Sequence, residues 1–237
     1  DEGLPHTTVR ALAPAGEDAL WVGTANGVCL LREGACQFQQ ALAGLYVREL
    51  WTDPASGELW IAAAGQGLLR YDGTALHREF DNDVQTIAQD GAGVMWLSTF
   101  HEVYRYTDTL VAVGFQGIQP DEDRVYAIFA DGRDNLWFGT ESGLVRCSDE
   151  PQPLCEHRYL AERTVYAIAG DEEGNLWLGT DAGASDYDGI LWTNHTTADG
   201  LATNWVNAVA ADPQGGIWFG TWGGGVSHFN GTTWTTY

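Results

Sequence analysis

Six tryptophans recur along this chain of 237 residues at separations of 36 to 41 residues. In each case an aliphatic residue or methionine precedes the tryptophan and small residues, most often Gly-Thr, follow shortly after it, as in residues 136–140. A self-similar period of this length is typical of folds built from repeated supersecondary units. The tryptophans are expected to pack between neighbouring units rather than to bind a ligand, and they are Trp21, Trp60, Trp96, Trp137, Trp177 and Trp218.

Each repeat is predicted to contain four short strands. The first is a mostly apolar run, seen at 84–88, 125–129, 165–169 and 206–210, which is typical of a strand covered on both faces. The tryptophan motif forms the second strand, and Glu33-Gly34 and Asp72-Gly73 indicate tight hairpins between the third and fourth. Since no segment has helical periodicity, the chain is predicted to be all-β, with residues 1–237 forming a single six-bladed β-propeller of four-stranded antiparallel blades.

Turn residues and chain ends refine this prediction. Aspartates recur before Gly-containing turns and are expected to accept hydrogen bonds from backbone N–H groups two or three residues on. One aspartate per repeat is too few oxygens for a calcium site. The chain is expected to enter at an innermost strand near Val9 and to end on the outermost strand of the sixth blade at Tyr237, with residues 1–8 outside that blade. The recurring aspartates are Asp90, Asp131, Asp171 and Asp212.

The charge of the chain excludes two classes of partner. It has 33 acidic residues against 11 basic ones, all arginine, and its formal net charge is −22. Nucleic acid and anionic membrane surfaces would be repelled by most of such a surface. No apolar run is long enough to span a bilayer, so no membrane insertion of this segment is expected.

The repeat resembles a known family. The pattern Val-x-Ala-Ile-x-x-Asp-x-x-Gly-Asn-Leu-Trp-x-Gly-Thr-x-x-Gly is almost complete at 125–143 and 165–183, and it is similar to the two-component regulator propeller repeat. The resemblance implies a periplasmic or extracellular sensor domain of the kind found in bacterial histidine kinases, which often read carbohydrate. Such sensors usually carry more repeats, a further β-domain, a membrane span and a kinase. The chain is therefore expected to be either part of a larger sensor or a small relative with another role.

Four cysteines form two local pairs in the sequence. Cys147 and Cys155 are expected to face each other across a hairpin of the fourth blade. In the first blade, Cys36 is expected to pair with Leu31 across the strands, which leaves Cys29 diagonal to it. Both pairs are candidate disulfides, which would suit a periplasmic or extracellular location.

One position of the repeat differs in residue type from blade to blade, and its side chains are predicted to form a polar ring. The residue after the first valine of each inner strand differs from blade to blade, and these residues are expected to surround one mouth of a central channel. A concave mouth with convergent polar and aromatic groups is a typical binding site. The ring residues in blade order are Arg10, Arg48, Gln85, Tyr126, Tyr166 and Asn207.

The loops that follow the Gly-Thr motif diverge as well. They are expected to share one face of the propeller with the connections between blades. Trp222 lies outside the repeated tryptophan position and precedes three glycines, so it is predicted to be exposed and available for stacking. The candidate ligand-binding residues in these loops are Phe100, His101 and Trp222, and other divergent positions are Asn26, Gln66, Glu141 and Asp181.

Two functional hypotheses follow from this pattern. The first is a sensory module that binds a small polar ligand or oligosaccharide, with a sugar acid as the expected partner of Arg10 and Arg48. The second is a scaffold that docks a protein on the divergent face. No catalytic motif, metal site or cofactor site is predicted, so the chain is not expected to be an enzyme. Streptogramin lyases pair His and Glu on a related propeller, which leaves His101 with Glu102 or Glu141 as a remote alternative.

Overall fold

The computed structural model describes residues 3–16, 18–107, 109–117, 123–133, 135–148, 150, 152–212 and 215–237. Within these ranges the chain forms strands and turns and contains no helix. The strands group into six sheets, and each sheet contains four consecutive strands in meander order. The predicted fold class, an all-β six-bladed β-propeller with four-stranded antiparallel blades, is confirmed.

The strand bounds follow the repeat. The first three sheets comprise β1 (Val9–Pro14), β2 (Ala19–Thr24), β3 (Gly27–Arg32) and β4 (Ala35–Ala43); β5 (Val47–Thr52), β6 (Leu59–Ala63), β7 (Gly67–Tyr71) and β8 (Leu76–Phe80); β9 (Thr86–Gln89), β10 (Met95–Ser98), β11 (Val103–Tyr106) and β12 (Leu110–Ala112). A short strand, β13 (Gln116–Gly117), precedes the fourth sheet. The last three sheets comprise β14 (Val125–Ala130), β15 (Asn135–Thr140), β16 (Gly143–Ser148) and β17 (Leu154–Tyr159); β18 (Val165–Gly170), β19 (Leu176–Thr180), β20 (Gly183–Tyr187) and β21 (Trp192–His195); β22 (Val206–Ala211), β23 (Ile217–Thr221), β24 (Gly225–Phe229) and β25 (Trp234–Thr236).

The chain divides into two compact units. The amino-terminal unit contains Asp1–Ala88 and Leu97–Phe100, and the carboxy-terminal unit contains Gln89–Trp96 and His101–Tyr237. Each unit has its own apolar core, because the aliphatic residues of its inner and middle strands are buried. Core residues of the amino-terminal unit include Val28, Val47, Leu50, Leu59 and Ile61, and those of the carboxy-terminal unit include Leu144, Val165, Leu178, Val206 and Phe219.

The chain ends lie where the repeat predicts. β1 is paired with β2, and the described residues 3–8 are not part of a strand. β25 pairs antiparallel with β24 and closes the last sheet from within its own repeat. The last blade is thus completed without a strand from residues 3–8.

The hairpin predictions are right in one case and wrong in another. Glu33 and Gly34 both have positive φ, 52° and 77°, and Arg32 pairs with Ala35, which is the geometry of a two-residue hairpin turn. Asp72-Gly73 does not form such a turn, because Tyr71 pairs with Leu76 and leaves a four-residue loop. The Asp72 carboxylate accepts hydrogen bonds from the N–H groups of residues 74 and 75, and these bonds favour the longer loop.

The fourth sheet has a strand that the repeat pattern does not predict. β13 pairs in parallel with β17, with Gln116 opposite Leu154. β17 is the outer strand of this repeat, so β13 covers hydrogen-bonding groups that would otherwise lie at an exposed sheet edge.

The turn aspartates hold the repeated tryptophans in place. Asp90 and Asp131 each accept a backbone N–H bond from the residue two positions on, as predicted, whereas Asp171 accepts one from Asn175, four positions on. A second interaction was not predicted, since the other carboxylate oxygen accepts the indole N–H of the tryptophan six residues later. These indole bonds join Trp96 to Asp90 (2.8 Å), Trp137 to Asp131 (2.9 Å), Trp177 to Asp171 (2.8 Å) and Trp218 to Asp212 (3.0 Å). Each aspartate therefore ties the turn before the second strand to the tryptophan ring on that strand.

Candidate ligand-binding face

A β-bulge sets the direction of the predicted ring residues. In five inner strands the register shifts just after the first valine, so that one residue has no partner on the second strand. A bulge of this kind redirects the side chain of the extra residue. The bulged residues are the ring residues Arg10, Arg48, Tyr126, Tyr166 and Asn207. The sixth ring residue, Gln85, lies just before β9 and donates its backbone N–H to the Ser98 carbonyl at 2.7 Å.

The loops after Gly-Thr are tied to the connections between blades. The residue after the threonine, or after Ala63 in the second blade, donates its backbone N–H to the carbonyl of the residue that precedes the inner-strand valine. This bond joins Ala25 to Thr8, Ala64 to Tyr46, Glu141 to Arg124, Asp181 to Thr164 and Trp222 to Trp205, at 2.8 to 3.3 Å. The prediction that the two kinds of loop lie at the same end of each blade is confirmed in these five sheets. Each of these blades thus has three variable side chains at this end: those of the residue before the inner-strand valine, the bulged residue and the first residue of the loop after the second strand.

In the amino-terminal unit, Arg48 is already paired. Its guanidinium forms an ion pair with Asp83 at 3.1 Å, donates to the Gln85 side-chain oxygen at 3.4 Å and lies 5.4 Å from the centre of the Phe100 ring. The other Asp83 oxygen accepts the Gly65 N–H at 2.6 Å. The structure therefore brings three predicted site residues, Arg48, Gln85 and Phe100, into contact. The charge that was expected to attract a sugar acid is compensated by Asp83.

Arg10 is exposed and lies over an aromatic ring. Its guanidinium carbon is 5.3 Å from the centre of the Tyr46 ring, which belongs to the neighbouring blade. Tyr46 is itself 42% exposed. Arg10 and Arg48 thus have different neighbours and do not form a matched pair of free donors.

Glu49, which sequence reasoning missed, is an acid of the amino-terminal unit whose pKa is strongly raised. Its carboxylate accepts the backbone N–H of Ile87 at 2.7 Å. Burial raises the pKa of Glu49 to about 7, although the hydrogen bonds from Ile87 and Thr86 act in the opposite direction. This carboxylate therefore titrates in the neutral range.

In the carboxy-terminal unit, four aromatic side chains form a continuous row, here called the aromatic strip: Tyr126, Tyr166, Trp205 and Trp222. Successive ring centres are 5.2, 6.0 and 6.3 Å apart, and the rings of Tyr166 and Trp205 are within 15° of parallel. Trp205 is 48% exposed and Trp222 is 68% exposed, so the predicted exposure of Trp222 is confirmed. Large aromatic faces left open to solvent in a row are typical of a recognition surface.

Polar groups border the strip. The guanidinium of Arg124 lies 5.9 Å from the centre of the Tyr126 ring. Glu141, Asp181 and Asn207 are exposed. Burial raises the pKa of Tyr166, and the negative charges of Asp181 and Glu141 raise it further. The potential at the middle of the strip is therefore negative.

The residues of the remote lyase alternative lie in two loops, His101 and Glu102 between β10 and β11 and Glu141 between β15 and β16. The Tyr104 hydroxyl donates to the Glu102 carboxylate. His101 is exposed, and Glu141 lies beside the aromatic strip. Among the described residues, no cluster of His, Cys, Asp and Glu could hold a metal ion.

A separate cavity of about 630 Å³ in the carboxy-terminal unit contains none of the predicted site residues. Its wall includes Trp177, Phe229 and His195, and two of its acidic groups, Asp171 and Asp186, already have partners. Asp171 accepts the Trp177 indole N–H, and Asp186 pairs with His195 at 2.7 Å. Because these contacts support the framework, the aromatic strip is the better candidate site.

The structure joins both cysteine pairs by disulfides, Cys29 to Cys36 and Cys147 to Cys155. Cys147 is directly opposite Cys155, and Leu31 is opposite Cys36, so both predicted registers are confirmed. Cys155 also pairs with Gly117 of β13. Oxidation of these cysteines in the purified protein stays a prediction.

Fold and face together define a β-propeller with a variable surface at one end of its blades. The sequence profile of the two component regulator propeller matches residues 79–101, 119–142, 159–182 and 200–223. Four segments of the chain thus match the repeat of this family. No curated protein sequence matches the chain significantly.

Several solved structures share the fold at low sequence identity. The extracellular domain of a proposed one component system from B. thetaiotaomicron has a TM-score of 0.79 and 20% identity over 93% of this chain. PorZ, a surface component of the type-IX secretion system of Porphyromonas gingivalis, has a TM-score of 0.75 and 17% identity over 94% of this chain. This chain spans 32% and 39% of the length of these two proteins.

A third similar structure is an enzyme. Virginiamycin B lyase from Staphylococcus aureus has a TM-score of 0.77 and 15% identity, and the match covers 99% of this chain and 85% of the lyase. At such identities the similarity shows a shared fold and carries no activity across.

Within the described part of the chain, no helix is long and apolar enough to cross a membrane.

Proposed function

We propose that this chain is an extracytoplasmic ligand-binding module of a sensory protein, and that the aromatic strip binds carbohydrate. One observation carries the proposal: four aromatic rings form a row at the variable end of the blades, and Trp205 and Trp222 at one end of that row are 48% and 68% exposed. Aromatic faces stack on the C–H faces of sugar rings, and neighbouring polar groups then hydrogen-bond the hydroxyls.

The sensory and extracytoplasmic parts of the proposal have separate support. Four segments of the chain match the repeat of a family named for two-component regulators, and a similar fold occurs in the extracellular domain of a proposed one component system. Two disulfides suit an oxidising compartment. The module has no catalytic role in this proposal, and Arg10, Arg48, Gln85 and Phe100 are a second polar surface rather than the main site.

Replacement of the exposed tryptophans tests the site. Isothermal titration calorimetry of the purified chain should show binding of a linear neutral oligosaccharide, with N-acetylglucosamine, glucose and xylose hexamers as probes. Trp205→Ala and Trp222→Ala should each raise the dissociation constant by about tenfold or more, because each removes an aromatic contact worth about 1.4 kcal/mol or more. Both variants should keep the wild-type unfolding temperature, since these rings are outside the core.

Tyr237→Ala is the matched control. Tyr237 is 70% exposed, as open as Trp222, but it follows the last strand and is not part of the strip. It should bind the hexamers as the wild type does. If no oligosaccharide binds the wild type, the carbohydrate proposal fails and the protein-docking hypothesis takes its place.

A further inference from the structure

The charge around the aromatic strip gives information about the class of its ligand, and this inference rests on the proposed function. Three blades supply the strip and its border, and each supplies the residue before the inner-strand valine, the bulged residue and the residue after Gly-Thr. In blade order these triplets are Arg124, Tyr126 and Glu141; Thr164, Tyr166 and Asp181; Trp205, Asn207 and Trp222.

Backbone contacts fix the two acidic residues next to the strip. Asp181 donates its N–H to the Thr164 carbonyl at 3.3 Å, and Thr164 lies two residues before Tyr166. The Thr164 hydroxyl donates to the Glu141 carbonyl at 3.2 Å. Both acidic residues are therefore anchored to the segment that leads into Tyr166. Both are exposed, so their carboxylates are accessible to a ligand that lies on the rings.

The cationic group of this border lies at one end. Arg124 is positioned over Tyr126, and its side-chain nitrogen is 3.5 Å from the Tyr126 hydroxyl. Farther along the strip, the polar groups from the triplets are the Asp181 carboxylate, the Thr164 hydroxyl and the Asn207 amide, and none of them carries a positive charge. A net charge of −22 on the whole chain adds to the negative potential there.

We infer that the aromatic strip selects oligosaccharides that carry free amino groups over those that carry carboxylates. A protonated amino sugar can stack on Tyr166 and Trp205 and donate charge-assisted hydrogen bonds to Glu141 and Asp181. A uronic acid would meet like charge at the same place. This is the opposite of the preference expected from Arg10 and Arg48, because the Arg48 charge is compensated by Asp83.

Three hexamers of equal length test this charge preference. The β-1,4-linked glucosamine hexamer and its N-acetylated counterpart share a backbone and differ in the charged amine, and a galacturonate hexamer carries the opposite charge. At a pH low enough to protonate the amine, calorimetry should show the glucosamine hexamer binding at least about tenfold more tightly than the N-acetylated one. Galacturonate should bind most weakly, and added salt should reduce the preference, because the charges are exposed.

The double variant Glu141→Gln with Asp181→Asn should reduce the preference for glucosamine over the N-acetylated hexamer to within about twofold, chiefly because it weakens the binding of glucosamine. Glu156→Gln with Glu172→Gln is the control, since it removes two exposed carboxylates of the same unit away from the strip. If the wild type binds the N-acetylated or galacturonate hexamer as tightly as glucosamine, the inference is wrong and the proposed function stands. If none of the hexamers binds, both fail.

Discussion

Glu49→Gln is expected to raise the free energy of unfolding at pH 8 by as much as about 3 kcal/mol and to leave it nearly unchanged at pH 4. The pKa of Glu49 rises from its ordinary value of 4.5 to about 7 in the folded protein, chiefly because of burial. The folded state therefore holds this proton more tightly than the unfolded state. Stability is lost as the pH rises from 4.5 through 7 and the carboxylate ionises. Glutamine has the shape of the protonated acid and does not ionise.

Thermal unfolding of the wild type and Glu49→Gln between pH 4 and pH 8 measures this effect. The curves of the two proteins should coincide at low pH and separate as the pH approaches neutrality, with the variant more stable. Glu156→Gln is a control, because Glu156 is an exposed acid on β17 and its loss should shift the curve little at any pH. Parallel pH profiles for the wild type and Glu49→Gln would show that Glu49 ionises normally.

Gly23→Ala is expected to destabilise the protein by about 1–3 kcal/mol. A Cβ at position 23 would lie 2.6 Å from Val47 Cγ1 and 3.1 Å from Leu50 Cδ1, both on the inner strand of the next blade. The glycine of the Gly-Thr motif is thus required here by close packing of two blades. In the Val47→Ala background the same substitution should cost much less, because the clashing methyl group is gone.

A double-mutant cycle by urea unfolding measures the coupling between residues 23 and 47. Gly114→Ala is the control, since a Cβ there meets no atom within 4 Å. It should change the stability little. Additive effects of Gly23→Ala and Val47→Ala would contradict the packing explanation.

The regular parts of the fold could be predicted because the six repeats can be aligned with one another, and a feature that recurs at the same position is assigned to every blade. The strands, the end of the blades where the variable loops meet and the opposition of Cys147 to Cys155 all follow from aligned positions. The Trp–Asp bonds could also have been found, because the aspartate precedes the tryptophan by six residues in four repeats. The positions that vary between repeats were much harder to interpret.

The candidate site was only partly predictable for this reason. Tyr126, Tyr166 and Trp222 were identified, but Trp205 precedes the inner strand at a position that was not compared between the repeats. The pairing of Arg48 with Asp83 depends on which side chains of adjacent blades face each other, and alignment of the repeats does not give this. The sugar-acid hypothesis depended on two arginines, and the structure pairs one of them, Arg48, with an acid that the alignment did not identify.

The central claim is that carbohydrate binds on the aromatic strip, and an NMR titration of the indole N–H groups tests it most directly. The chain has 11 tryptophans, and Trp→Phe variants assign their resonances. Addition of the glucosamine or N-acetylglucosamine hexamer should shift the signals of Trp205 and Trp222. The signals of Trp96, Trp137 and Trp177, whose indole groups are bonded to aspartates, should stay in place. Shifts confined to Trp177 and other residues away from the strip, or no shifts at saturating hexamer, would contradict the claim.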